Sequence, residues 1–152
     1  MGIDVLHDDA YKMLLEAGYS EKAIQYFHAK ENIGTIEDAD QITKITGPCG
    51  DTIKICLNVD DEKVSDAKIQ VFGCPGAVAS GCAVINLVKG KTLEQARQID
   101  IDVLYKELEK LPDKKIHCAR LAVKTLQKTL EDYSKNNNGS HDRVVNESWE
   151  RN

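Results

Sequence analysis

Aromatic side chains are scarce in this sequence: one Trp, two Phe and five Tyr, or 5% of 152 residues. The formal charge is −5, and no RNP-like run or zinc-finger spacing occurs, so a nucleic-acid-binding module is excluded. No apolar run reaches the length of a membrane span. Asp4, Asp8 and Asp9 interrupt any apolar segment near the start, which argues against a secretory signal and for a cytoplasmic protein. Leu6 stands where a myristoylation site needs Ser or Thr. The five cysteines are odd in number and widely spread, with no Cys-x-x-Cys. Disulfide stapling is therefore not expected, and thiol chemistry or metal binding is the default. In that setting the sequons at Asn138 and Asn146 carry no meaning. There are no internal repeats, and 152 residues suffice for one domain with a hydrophobic core.

What the chain does hold is organised around Val71-Phe72-Gly73-Cys74-Pro75-Gly76, followed by Ala77 to Cys82. Ile69 and Val71 favour an extended strand. Gly73 permits a bend, and Pro75 suits the first turn of a helix. Cys74 then falls between strand end and helix start, where free N–H groups and the helix dipole favour a thiolate. Taken alone, Cys74 reads equally well as a reactive thiol or as an inert buried one.

In chain order, residues 8–28 predict two short helices broken at Gly18, the second capped by Ser20. Gln41 to Thr46 predicts a first strand. In Thr52 to Val59, Ile53, Ile55, Leu57 and Val59 alternate with Lys54, Cys56 and Asn58. Asp60-Asp61-Glu62-Lys63 reads as a hairpin loop, and Val64 to Phe72 returns as a third strand. Helices follow: Ala77 to Val88 with the stripe Val78, Cys82 and Ile85, then a short one capped by Thr92, one begun by Asp100 or Asp102, and a long one over about 115–133. The expected fold class is α+β, a small antiparallel three-stranded sheet with helices packed on one face. The domain is expected to span residues 1–134, and the polar residues 135–152, which hold Trp149, are expected to be a disordered tail.

Three cysteines fall at element boundaries: Cys49 in Gly47-Pro48-Cys49-Gly50-Asp51, Cys74 before its helix, and Cys118 after His117 at the start of the long helix. The dipole is expected to lower the cost of a thiolate at Cys118 as well. Loops and helix starts at one end of a sheet can converge. Three thiolates, the His117 imidazole and the Asp51 carboxylate would then suit a metal ion or an iron–sulfur group. Cys82 reads as core; Cys56 pairs with no ligand pattern.

The flanking residues sharpen this. Glu31-Asn32-Ile33-Gly34, Pro48-Cys49-Gly50-Asp51, Phe72-Gly73-Cys74 with Ala77, Ala79 and Ser80, Val88-Lys89-Gly90-Lys91-Thr92, and Leu111-Pro112 through Lys115 to His117-Cys118 occur in this order. Together, over roughly residues 22–134, they resemble the IscU/NifU-like iron–sulfur cluster assembly scaffold family. The resemblance implies a non-enzymatic scaffold that receives persulfide sulfur from a cysteine desulfurase, builds a transient [2Fe-2S] cluster with iron, and passes it to apo-proteins. It implies Cys49, Cys74 and Cys118 as ligands, Asp51 or His117 as the fourth, Cys118 as sulfur acceptor and Lys115 as an assisting residue. A homodimer is compatible with it, as is zinc in the same ligands. The alternative is a zinc-bound, sulfurtransferase-like sulfur acceptor; a purely structural zinc domain is a third reading. Asp113-Lys114 stands where the family commonly has Pro-Val, which implies weaker binding to an apolar chaperone groove. The lysines and arginine from Lys106 to Lys128 read as a solvated helical surface or as a docking face for an acidic partner.

Overall fold

β-branched residues at alternate positions make strands wherever one face can be buried. The computed structural model describes residues 9–28, 32–137 and 144–148. Three strands, β1 (Gln41–Thr46), β2 (Thr52–Asp60) and β3 (Lys63–Phe72), form an antiparallel meander. Asp61 and Glu62 both take positive φ in the β2–β3 turn, as a tight hairpin with the right twist requires. Ile45, Ile53, Ile55, Leu57, Ala67 and Ile69 are fully buried on one face. A bulge at Asn58 and Val59 shifts the register near the turn, so Val59 is only half-buried.

Among the described residues six α-helices follow the expected punctuation: α1 (Asp9–Ala17), α2 (Glu21–His28), α3 (Pro75–Val88), α4 (Leu93–Arg97), α5 (Ile101–Leu108) and α6 (Ile116–Asn137). The Ser20 hydroxyl accepts from Ala23 N–H at 2.9 Å and donates to the Leu108 carbonyl, so one cap also ties α2 to the end of α5. Thr92 and Gln95 form a reciprocal capping box, and the Asp100 carboxylate caps α5 by accepting from Val103 N–H.

α3 is more central than the stripe of Val78, Cys82 and Ile85 suggests. Gly76, Ala77, Ala79, Ser80, Gly81, Ala83 and Val84 are buried too. Small residues let it press onto the sheet; a Cβ at Gly81 would lie 2.6 Å from Ile69 Cδ1. Cys56, on the face away from the helices, is also buried, flanked across the sheet by Ile42 and Lys68.

The tail departs from expectation. Residues 135–137 prolong α6, and β4 (Val144–Ser148) pairs in parallel with β1, giving a four-stranded sheet ordered β3-β2-β1-β4. The physical reason is that β1 offers an unpaired edge, and the Val144-Val145 pair favours extension. Trp149, His7 and His141 lie outside the described residues. Among the described residues no helix is long and apolar enough to cross a membrane.

Between α6 and β1 the core is polar. Gln41, Thr43, Thr125, Thr129 and Asp132 are all buried. The Thr43 hydroxyl donates to Asp132 Oδ2 at 2.9 Å, and Lys128 Nζ lies 3.2 Å from Asp132 Oδ1. Lys128 thus ion-pairs with a buried carboxylate of the core, and with exposed Glu131 at 3.7 Å. Asp132→Ala leaves Thr43 unsatisfied and should lower the unfolding free energy by about 2 kcal/mol in urea titrations. Asp132→Asn, which keeps an acceptor, should lose less.

Candidate metal centre

Three chain segments meet at one end of the sheet. The first is the loop joining β1 to β2. Gly47 N–H donates to the Asp51 carbonyl at 2.8 Å and Gly50 N–H to the Gly47 carbonyl at 3.0 Å, with Gly50 at φ +92°. This tight loop holds Cys49 out in solvent and turns Asp51 inward. The second is the β3–α3 junction, where Cys74 is the N-cap residue with extended backbone and Pro75 opens the helix. The third is the start of α6. A 3-10 turn over Asp113–Lys115 leads into Ile116, His117 and Cys118.

The donor atoms converge. Cys74 Sγ lies 3.4 Å from Cys118 Sγ and 3.5 Å from Asp51 Oδ2; Cys118 Sγ lies 3.7 Å from that oxygen and 3.6 Å from His117 Nε2. Two three-donor groups result, Cys49 with Asp51 and His117, and Asp51 with Cys74 and Cys118, each with its atoms within 4.8 Å of one another. Asp51 belongs to both. Sulfurs about 2.3 Å from a tetrahedral metal sit about 3.8 Å apart, so these separations suit a metal with mixed S, N and O ligands. All five sequence-predicted ligands are brought together, and Cys56 and Cys82 are not.

Two thiols this close share one proton. Cys74 is lowered to about 6, chiefly because the Cys118 thiol hydrogen-bonds to it; the Ala77 N–H and Lys115 assist, against the cost of burial. Cys118 is pushed far up, first by that same hydrogen bond and then by burial and the charges of Cys74 and Asp51. The expected thiolate bias from the helix start is therefore realised at Cys74 and reversed at Cys118. Cys118 is buried behind half-buried Cys74 and Asp51, and the neighbouring anion outweighs the dipole.

Three residues escaped the sequence reading. Gly73 sits at a bend as expected, and it is also required for space: a Cβ there would lie 2.6 Å from Asp51 Cγ. Gly76 is buried between Lys115 and Tyr19, with its Cβ position 3.1 Å from Lys115 Cβ and 3.4 Å from the Tyr19 hydroxyl. Tyr19, buried just after Gly18, is pushed up to about 12 by burial and then by the charge of Cys74. It remains a protonated hydroxyl beside the site. Adjacency to Gly18 carries no metal signal, so only the folded proximity identifies it.

A family model for the NifU-like N-terminal domain matches residues 18–140. The chain belongs to that family. It is 38% identical over 127 residues to the iron–sulfur cluster assembly scaffold protein IscU 1 of Archaeoglobus fulgidus, covering 83% of this chain and 82% of that protein. It is 37% identical over 120 residues to the scaffold protein IscU of Escherichia coli, covering 76% and 93%. The N-terminal NifU-like protein structure from Brucella abortus shares the fold at a TM-score of 0.66 and 19% identity, covering 80% of this chain and 98% of that one. The α+β architecture expected from the resemblance is the family's fold.

In metal-free protein, alkylation of Cys74 by iodoacetamide should rise through about pH 6, since the thiol is protonated below that value and ionised above it. Cys118→Ala removes the donor and should move the midpoint up toward the ordinary thiol range. Gly73→Ala displaces Asp51 and should weaken Co(II) binding about tenfold, read from its visible absorption.

Proposed function

We propose that this protein is an iron–sulfur cluster assembly scaffold, a binding and transfer protein with no turnover of its own. Its cargo is a transient [2Fe-2S] cluster, built from iron and from sulfur delivered as persulfide by a cysteine desulfurase, then handed to apo-proteins in the cytoplasm. The observation that supports this most is the mixed donor set, three thiols, one carboxylate and one imidazole, centred on Asp51. Three thiolates suit iron in a sulfide-bridged core. An all-thiolate cage would hold its cargo too firmly for a carrier. A carboxylate is a harder and weaker ligand for such a core, and a natural point of exchange.

Cys49, Cys74 and Cys118 serve as ligands, with Asp51 and His117 alternating as the fourth. Cys118 accepts the sulfur. Its thiolate attacks the outer sulfur of the donor persulfide, the S–S bond breaks, and the donor cysteine leaves as thiolate. The proton of Cys118 has a ready acceptor in Cys74, 3.4 Å away. Lys115, packed against Gly76, adds positive charge where anions gather. Zinc in the same donors is the natural occupant of protein purified in air. The names of the curated relatives favour the scaffold over the sulfurtransferase-like alternative.

Anaerobic reconstitution with desulfurase, cysteine and ferrous iron should yield a coloured protein. A colourless product holding one zinc per chain would overturn the reading. Alanine at Cys49, Cys74 or Cys118 should abolish cluster retention. Asp51→Ala should retain the cluster but release it to an apo-ferredoxin about tenfold more slowly. Unchanged release would remove the carboxylate argument.

A further inference from the structure

The sheet face turned away from the helices carries an organised surface that the metal site does not use. Across it, residues on the same side fall into rows fixed by the register. Thr46, Thr52 and Phe72 form the row nearest the metal site; Lys44, Lys54 and Gln70 form the next. The Thr46 and Thr52 hydroxyls are 2.9 Å apart, which pins the first row where the Cys49 loop begins and ends.

Two features of these rows oppose the free protein's own stability. Phe72 leaves 63% of its surface in water, although the sequence holds few aromatic residues. Lys44 and Lys54 stand directly opposite each other on neighbouring strands, and neither has an ion pair among the described residues. Like charges in that position repel. The whole chain is acidic at −5, so this basic patch runs against the overall charge. An exposed aromatic beside cations that have no ion pair among the described residues has the makeup of an interface anchor.

We propose that this face docks the acidic apo-protein that receives the cluster, with Phe72 entering an apolar pocket on it and Lys44 and Lys54 meeting its carboxylates. Resting on the scaffold reading, the assignment to the recipient follows from where the face leads. Cluster transfer proceeds by exchange of one ligand at a time, beginning at the ligand an incoming thiolate can reach. Cys49 is the exposed member of the three-cysteine set, and its loop joins the ends of the two strands that carry Thr46 and Thr52. A partner seated on these rows therefore brings its own cysteines first to Cys49. Cys118, the sulfur acceptor, is buried and belongs to a helix on the opposite side of the sheet. Two copies of this chain would repel each other through this face.

The full chain is loaded with cluster chemically, from ferrous iron and sulfide without desulfurase, and mixed with plant-type apo-ferredoxin as the acidic probe. Circular dichroism follows transfer. Phe72→Ala should slow transfer about fivefold, and Lys44→Glu with Lys54→Glu about tenfold with loss of the salt dependence seen in wild type. Lys12→Glu, on α1, should transfer as wild type. Bleaching by EDTA and desulfurase-driven assembly should stay within about twofold of wild type in every variant. Unchanged transfer overturns the proposal. So does faster bleaching, which makes these residues supports of the metal site, and so does a defect confined to desulfurase-driven assembly, which gives the face to the sulfur donor. Direct titration of the metal-free chain with the same apo-ferredoxin decides docking separately: a wild type that binds the probe but never takes up a cluster would sink the scaffold reading and leave the surface intact. Equal affinity of wild type and variants would sink the surface alone.

Discussion

The candidate metal centre of this fold depends on one close approach, that of the Asp51 carboxylate to the backbone of Gly73. Asp51 is shared by both three-donor groups, so its position decides whether five donor atoms form one site or two unrelated clusters. It reaches that position because a two-glycine loop turns it inward and because residue 73 has no side chain to exclude it. Two neighbouring glycines serve the same end by different means. Gly50 supplies a left-handed backbone, Gly73 supplies volume.

Around that contact the electrostatics are graded rather than uniform. Cys74 carries negative charge at neutral pH, Cys118 keeps its proton, and Tyr19 stays a hydroxyl. The gradient arises from burial against a common anion: the deeper thiol holds the proton and donates it to the shallower one. The pair therefore carries one thiolate charge rather than two beside the Asp51 carboxylate. Gly76, squeezed between Lys115 and Tyr19, brings the start of α3 against both a cation and a hydroxyl, so two of the three segments, the β3–α3 junction and the approach to α6, pack directly on each other.

Much of the fold was legible because punctuation and periodicity agree here. The caps at Ser20, Thr92 and Asp100, the break at Gly18 and the alternation in β2 each name one element and one face. The candidate ligands were legible for a different reason, since residue types suited to metal chemistry stand together in short stretches such as Cys49-Gly50-Asp51 and His117-Cys118. What lay hidden depends on contacts far apart in sequence. The need for Gly73 arises from Asp51, the placement of Tyr19 from Gly76, and the order of the strands at the β1 edge from residues 144–148. The reversal at Cys118 had the same origin. A helix start is visible in a sequence, but a second thiol 3.4 Å away is not. Cys56 shows the limit of alternation itself, because a small thiol between Ile42 and Lys68 is covered by its taller neighbours on a face open to solvent.

The strand-to-helix junction has one more consequence. Phe72 and Cys74 are separated by a single residue that lacks a side chain, and Pro75 stiffens the far side of the pair. Between them the backbone is a short lever with a soft middle. An exposed ring and a half-buried thiol thus stand two peptide units apart, the first on the outer face of the sheet and the second among the donor atoms. Outer surface and donor set are therefore neighbours along the chain as well as in space.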